Sequence, residues 1–320
     1  MSEALGSIFT HEIFGRLQKS AANSRSAEFR LQILSPCMSN RLENSPEHDQ
    51  LLCEQIRERW NRWIASALSV GMFEEPHGAE LKSRLTGIDD DGFRSALAEC
   101  MTCWAFSSEL GLPILPRPSG RGGRVLEFGI QTSHGEISLE VKAPRLRGLV
   151  TGPAAEQSAS GLYTYSVTIA MRAALRSANR QFARARRNLL VIALPEIEEP
   201  VGITSERWLA SLIKAFYGEQ HLISAQPEAP PSQSATDGNF LKRPGGVPRF
   251  TRISAVVGLG EFGRCPDLHA AVLHNPYSEK PVDLSIFGEW MQFVAENREI
   301  RCFRAGHEES YSYSRRDGLL

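Results

Sequence analysis

Glu127, Glu140 and Lys142 are the residues of this chain whose types and spacing could do chemistry together. Glu140-Val141-Lys142 closes an alternating run in which Ile137, Leu139 and Val141 are apolar while Ser138, Glu140 and Lys142 are polar, the pattern of a strand with one buried face. Strand side chains alternate with period two, so a carboxylate and an ammonium two residues apart stand side by side. Upstream, Val125, Phe128 and Ile130 mark a first arm, and Ser133-His134-Gly135 supplies a turn, which predicts a β-hairpin over residues 124–145. Glu127, on that first arm, then comes close to Glu140. Two carboxylates at the end of a twisted hairpin suit a hard cation such as magnesium, and a lysine beside it would position or deprotonate a water.

The neighbouring segments must hold that hairpin in place. Phe93–Leu110 has apolar residues at 93, 96, 97, 100, 101 and 104, a helical spacing, and Asp89-Asp90-Asp91 precedes it as cap and first-turn acids. Glu99 lies off that apolar stripe. Downstream, Arg172, Arg176, Arg180 and Arg184 recur every four residues, so a helix over 166–187 would carry them as one stripe, with Met171, Leu175, Ala178 and Phe182 toward the core and Gln181 between the faces. Asn188–Leu194 is a short apolar run that suits a buried strand. The order is helix, three strands, helix, strand.

These residues resemble the PD-(D/E)XK nuclease superfamily, whose hairpin carries an acid, a gap, then acid-x-lysine. Glu127 matches the first acid, and Glu140 and Lys142 the second motif; the first acid in that superfamily is normally aspartate, and here Leu126-Glu127 stands in its place. The resemblance covers about residues 90 to 195. It implies an α/β fold with a restriction-endonuclease-like αβββαβ core on a mixed sheet. By the same likeness Glu127, Glu140 and the Val141 carbonyl would hold Mg2+ or Mn2+, and Lys142 would align the attacking water or stabilise the transition state. Glu99, from the first helix, would bind a second metal through water. Ala178-Asn179-Arg180-Gln181-Phe182 resembles an Ala-x-x-Gln-Phe pattern of related families, which would place Gln181 at the lysine, the water or a phosphate. The implied function is hydrolysis of phosphodiester bonds in nucleic acid, with DNA the expected form; the alternative is an inactive nuclease-fold module that binds nucleic acid or a protein.

Charge supports a polyanion partner locally. The chain has 36 Lys+Arg against 37 Asp+Glu, yet from Lys142 to Arg187 Glu156 is the only acid among Lys142, Arg145, Arg147, Arg172, Arg176, Arg180, Arg184, Arg186 and Arg187. Arg145, Arg172, Arg176, Arg180 and Arg184 are therefore the expected phosphate contacts, which give affinity without sequence information. Apolar runs are too short for a membrane span, so the expectation is a cytoplasmic protein with no membrane partner. Its six cysteines are expected to be free thiols. Cys100 and Cys103 have CxxC spacing inside the first core helix, with no second pair to complete a zinc site.

The expected organisation is a helical N-terminal extension over 1–85, a nuclease-like α/β core over 86–300 with a Pro/Ser-rich insertion at 224–249, and a C-terminal tail over 301–320. Leu51–Met72 is a helix in which Trp60 and Trp63 are packing anchors, Ser205–Tyr217 a helix, and Arg252–Leu259 a strand. Gly148–Gly161 is a loop that could cover the site. Gly258-Leu259-Gly260-Glu261-Phe262-Gly263 fits a dinucleotide fingerprint, but Pro266 follows too soon for the helix that motif needs, so it reads as a turn between strands. His274, in His274-Asn275-Pro276-Tyr277, reads as a hydrogen-bonding residue at a strand end.

Overall fold

The apolar run at 188–194 lies within β4 (Arg187–Leu194), where residues 188–193 are all buried, as a strand covered on both faces must be. The computed structural model describes residues 3–22, 24–34, 47–74, 78–116, 127–144, 159–195, 205–217, 240, 248, 250–261, 268–296, 299–304 and 307–309. Five helices come first: α1 (Glu3–Ile8), α2 (His11–Ala21), α3 (Arg25–Leu34), α4 (Glu47–Ser69) and α5 (Gly78–Thr86). Then α6 (Asp90–Trp104) runs into a π-helical turn, Ala105–Glu109, and is followed by β1 (Ile114–Pro116), β2 (Phe128–Thr132) and β3 (Gly135–Lys142). After α7 (Ala159–Gln181) and β4 come α8 (Ser205–Tyr217), β5 (Ala255–Gly260), β6 (His269–His274), β7 (Met291–Glu296), β8 (Glu299–Arg304) and β9 (His307–Glu309).

Among the described residues the nine strands form one mixed sheet in chain order. β1, β2 and β3 are antiparallel neighbours, and β3, β4 and β5 run parallel. β6 reverses, β7 runs parallel to β6, and β8 and β9 alternate again. The protein is thus an α/β fold. α7 and α8 cover one face through Met171, Leu175, Phe182, Leu212 and Phe216, packed on Leu190, Ile192, Val256 and Leu273. α4 and α6 cover the other, with Trp60, Trp63, Phe93 and Leu97 sharing one core with Leu139, Val141, Leu189, Val191 and Val257.

Two of the expected boundaries differ from this arrangement. α1 to α5 are helices as expected, but Leu5, Phe14, Ile33 and Leu81 belong to the same core as the sheet, so they complete a layer instead of extending from it. The tail expected from residue 301 begins inside β8, where Cys302 is buried in the core under α7 and α8, and β9 pairs beyond it. Within the insertion at 224–249, Phe240 and Pro248 are described, and Phe240 packs against Phe216 with ring centroids 5.3 Å apart.

Arg30 of α3 ties the N-terminal layer to the helix that carries Glu99. Its guanidinium donates to the carbonyls of Gly87 (2.9 Å) and Ile88 (3.0 Å), pairs with Asp90 (2.8 Å) and lies 4.7 Å from the centre of the Phe93 ring. It therefore clamps the turn between α5 and α6. Asp89 caps α6 by accepting the Gly92 N–H at 2.7 Å, as the run of three aspartates predicts.

The described residues of the glycine-rich and HNPY segments make packing and hydrogen-bond contacts between elements. A Cβ at Gly258 would lie 2.3 Å from Leu212 Cδ1, so glycine there lets α8 approach β5, and β5 passes to the antiparallel β6. His274, at the end of β6, sits 3.1 Å from Gln292 Oε1 through Nε2, and the Tyr217 hydroxyl is shared between the carbonyls of His274 (2.7 Å) and Phe293 (2.8 Å). Asn275 donates to Phe250 O (3.1 Å) and Ile253 O (2.9 Å), tying the junction.

Burial pushes the His274 pKa down to about 4 from its ordinary 6.5. Between those values the unfolded chain takes up a proton that the native ring refuses, so this contribution is intact above about pH 6.5 and declines as the pH falls. Going from pH 7 to pH 5, urea unfolding should cost the wild type about 2 kcal/mol more stability than it costs His274→Gln. Equal losses would mean that His274 is not held neutral.

Candidate active site

β2 and β3 pair from Phe128↔Leu139 to Thr132↔Gly135, leaving Ser133-His134 as a two-residue turn. Gly135 has φ 102°, a conformation other residues adopt at a cost, and the Thr132 hydroxyl fixes the turn by accepting the His134 N–H (3.2 Å) and donating to Gly135 O (2.8 Å). That register sends Phe128, Ile130, Ile137, Leu139 and Val141 into the core under α4 and α6. Ser138, Glu140 and Lys142 are turned to the other side, and Glu127 stands one residue before β2, opposite Glu140.

The three residues come together there. Lys142 Nζ donates to Glu140 Oε1 and lies 3.9 Å from Glu127 Oε1, while Glu127 Oε2 accepts the Val141 N–H at 3.2 Å. The two carboxyls are within hydrogen-bonding reach of each other. Loss of water, the hydrogen bond with Glu140 and the Glu140 charge hold the Glu127 carboxyl well above the ordinary carboxylate range, and Lys142 offsets this only in part. Burial acts to lower the Lys142 pKa, but the charges of Glu127 and Glu140 outweigh it and hold it above the usual lysine value. Beside the two carboxyls Lys142 therefore favours its charged form, which suits it to face negative charge.

Glu99 lies on α6 close enough for its charge to act on Glu127 and Lys142, but its direct partner is Arg84. The Arg84 guanidinium donates to Glu99 Oε1 at 2.6 Å and to Oε2 at 3.1 Å. Sequence reasoning missed Arg84. The available signal was a cation between Leu81 and Leu85, both fully buried, on a short helix facing one that carries a buried acid. Among the described residues no group of three or more His, Cys, Asp or Glu side chains is placed to hold a metal ion, so Glu99 does not join Glu127 and Glu140 in one set. For a cation held by the pair alone the donors fit: Glu140 is 1% exposed, no N–H or hydroxyl group among the described residues donates to its Oε2, and a second carboxyl faces it.

Gln181 is not brought to this cluster. α7 returns from the end of β3 to the start of β4: Ala183, two residues past its end, accepts from the Asn188 side chain at 2.8 Å, and Asn188 pairs with Ser138, whereas Lys142 pairs with Ile192. From Ser138 to Lys142 the strand rises on the order of 13 Å. Arg176 and Arg180 are exposed on α7 and Arg172 is half-buried, whereas Arg184 lies in the turn after the helix ends at Gln181. Arg145 and residues 148–158 of the expected covering loop lie outside the described residues. Cys100 and Cys103 are buried free thiols; burial raises the Cys100 pKa well above the usual value and pushes that of Cys103 up to about 12, which favours the unreactive thiol form. No described helix is long and apolar enough to cross a membrane.

Comparisons with known proteins add no relative: no family model, curated protein or solved structure matches the chain.

The Arg84–Glu99 pair gives a stability test. Arg84→Met should destabilise the protein by about 3 kcal/mol, because Glu99 is left buried without its partner, and adding Glu99→Met should recover most of that loss. Chemical denaturation of the two single variants and the double variant measures the coupling; additive losses would show that the two side chains do not act as a pair.

Proposed function

We propose that this chain is a metal-dependent nuclease with a restriction-endonuclease-like core, hydrolysing phosphodiester bonds of nucleic acid, with DNA the expected substrate. The observation that carries the reading is the meeting of Glu127, Glu140 and Lys142 at the end of the β2–β3 hairpin. The order α6, β1, β2, β3, α7, β4 supports it, being the helix–three strands–helix–strand order of that core. Glu127 and Glu140, with the Val141 carbonyl, would hold Mg2+ or Mn2+, and such a cation, when bound, polarises the phosphate and acidifies water. The chain's own part is electrostatic. Lys142, a cation held in place beside the two carboxyls and only partly exposed, would meet charge developing on the phosphate. Exposed Arg176 and Arg180 would hold the phosphate backbone, Arg172 adding to them from a half-buried position.

A second reading is a nuclease-fold module that binds nucleic acid or a protein without cutting. It is favoured by the engagement of Glu99 with Arg84, which removes the third acid from the cluster. Metal titration separates the two: Mg2+ or Mn2+ should raise the melting temperature of an active enzyme, and Glu140→Gln should remove that rise.

Lys142→Ala should lower cleavage of a DNA duplex by about 100-fold or more while duplex affinity stays within about twofold, since one charge adds little to a surface with several arginines. Cleavage and electrophoretic binding assays on the same duplex read both effects, and equal losses would make Lys142 a binding residue. Arg176→Ala with Arg180→Ala should leave folding within about 1 kcal/mol and flatten the dependence of log affinity on log salt by about one unit per lost phosphate contact. An unchanged slope with unchanged affinity would take nucleic acid away from this helix.

A further inference from the structure

Glu99 and Glu140 are both acids almost without solvent exposure near the same hairpin end, yet their oxygens are used differently. Among the described residues no N–H or hydroxyl group donates to Glu140 Oε2, and Glu127 Oε1 faces Lys142 at 3.9 Å. Both oxygens of Glu99 are taken by one guanidinium, at 2.6 and 3.1 Å. Two parallel charge-assisted bonds of this kind are among the strongest pairings available to a carboxylate, and coordination to a metal would have to break them.

Arg84 is itself held in place. Its Nη1 lies 3.4 Å from Ser95 Oγ on α6, and its Nε is 3.7 Å from Glu80 Oε1 on its own helix, an exposed carboxylate that adds charge without a hydrogen bond. Arg30 clamps the turn joining those helices. The guanidinium is a permanent cation with a rigid donor geometry, unlike an exchangeable ion. Its charge and that of Glu127 act on each other, which puts it at the border of the hairpin cluster.

We infer that Arg84 takes the place of a second metal ion: it is a positioning residue that withdraws Glu99 from coordination, leaving Glu127 and Glu140 to hold a single divalent cation. This rests on the metal-dependent reading and replaces the expectation that Glu99 binds a second metal. Glu99 then contributes a through-space negative charge, and Arg84 supplies from the chain the positive charge that a second ion would bring.

Equilibrium dialysis and electron paramagnetic resonance of the full chain with Mn2+ test this without relying on activity, with Glu127→Gln/Glu140→Gln as the background for surface binding. The wild type should bind one Mn2+ above background. Glu99→Gln should change the Mn2+ dissociation constant by less than about threefold, because its carboxylate makes no bond to the ion, whereas Glu140→Gln should weaken it about tenfold or more. Arg84→Lys should keep one ion, and Arg84→Gln, which frees Glu99, should bind a second and weaker one. Two ions in the wild type, or a Glu99→Gln loss as large as that of Glu140→Gln, would overturn the inference and leave the metal-dependent reading standing. No Mn2+ above background in the wild type would overturn both.

Discussion

A carboxylate that is 1% exposed has to find its counter-charge inside the protein, and Glu140 sets that requirement for the whole hairpin end. β3 pairs with neighbours on both sides, while the core under α4 and α6 takes Ile137, Leu139 and Val141, so the intervening polar residues cannot turn away to water together. Lys142 meets the need on the same strand, and the antiparallel partner supplies Glu127, whose other oxygen is satisfied by the Val141 amide. Two acids and one lysine remain one positive charge short. The raised Glu127 pKa is the protein's response to that shortage, and a cation is the other response available to it.

The hairpin was legible because its information is local. Alternation over 137–142, the turn residues and the buried run of β4 each fit within one strand, and those elements occur where the pattern puts them. What was not legible depends on chain direction or on partners far apart. Gln181 falls between the two faces of α7 and could reach a site by periodicity alone, but the parallel pairing of β3 and β4 makes α7 run away from Lys142, so that residue ends at the wrong end of the sheet. Helical spacing likewise carries on to Arg184, although the backbone leaves the helix at Gln181 so that Asn188 can enter β4, its amide bonded to the carbonyls of Ala183, Arg186 and Arg252. Arg84 has no signature on its own helix, because its meaning comes from Glu99, fifteen positions later across a turn.

The same distinction applies to the motifs whose described residues face packed neighbours. GxGxxG and CxxC describe residue types at a spacing, whereas function needs those residues to face a space where a ligand fits. Gly258 faces Leu212, and Cys100 and Cys103 face a packed interior; in both cases the small or soft side chain answers a packing need between a helix and its neighbours. His274 is similar: its ring is spent on Gln292 and its carbonyl on Tyr217, which joins β6, β7 and α8.

On the proposed reading, the position of charge divides the labour between binding and chemistry. The hairpin cluster with Arg84 holds three carboxylates and two cationic side chains, an excess of one negative charge when all are ionised, at the carboxyl end of the parallel strands β3, β4 and β5. A bare phosphodiester would be repelled there. A divalent cation reverses the sign, and cation and phosphodiester together leave the cluster neutral. Arg176 and Arg180 lie on the part of α7 that leads toward the opposite end of the sheet, at about 1.5 Å of rise per residue, and attract the polyanion whether or not the cation is present. On that reading affinity would come from α7 and reactivity from the hairpin, and the cation would be what allows them to act on one phosphate backbone.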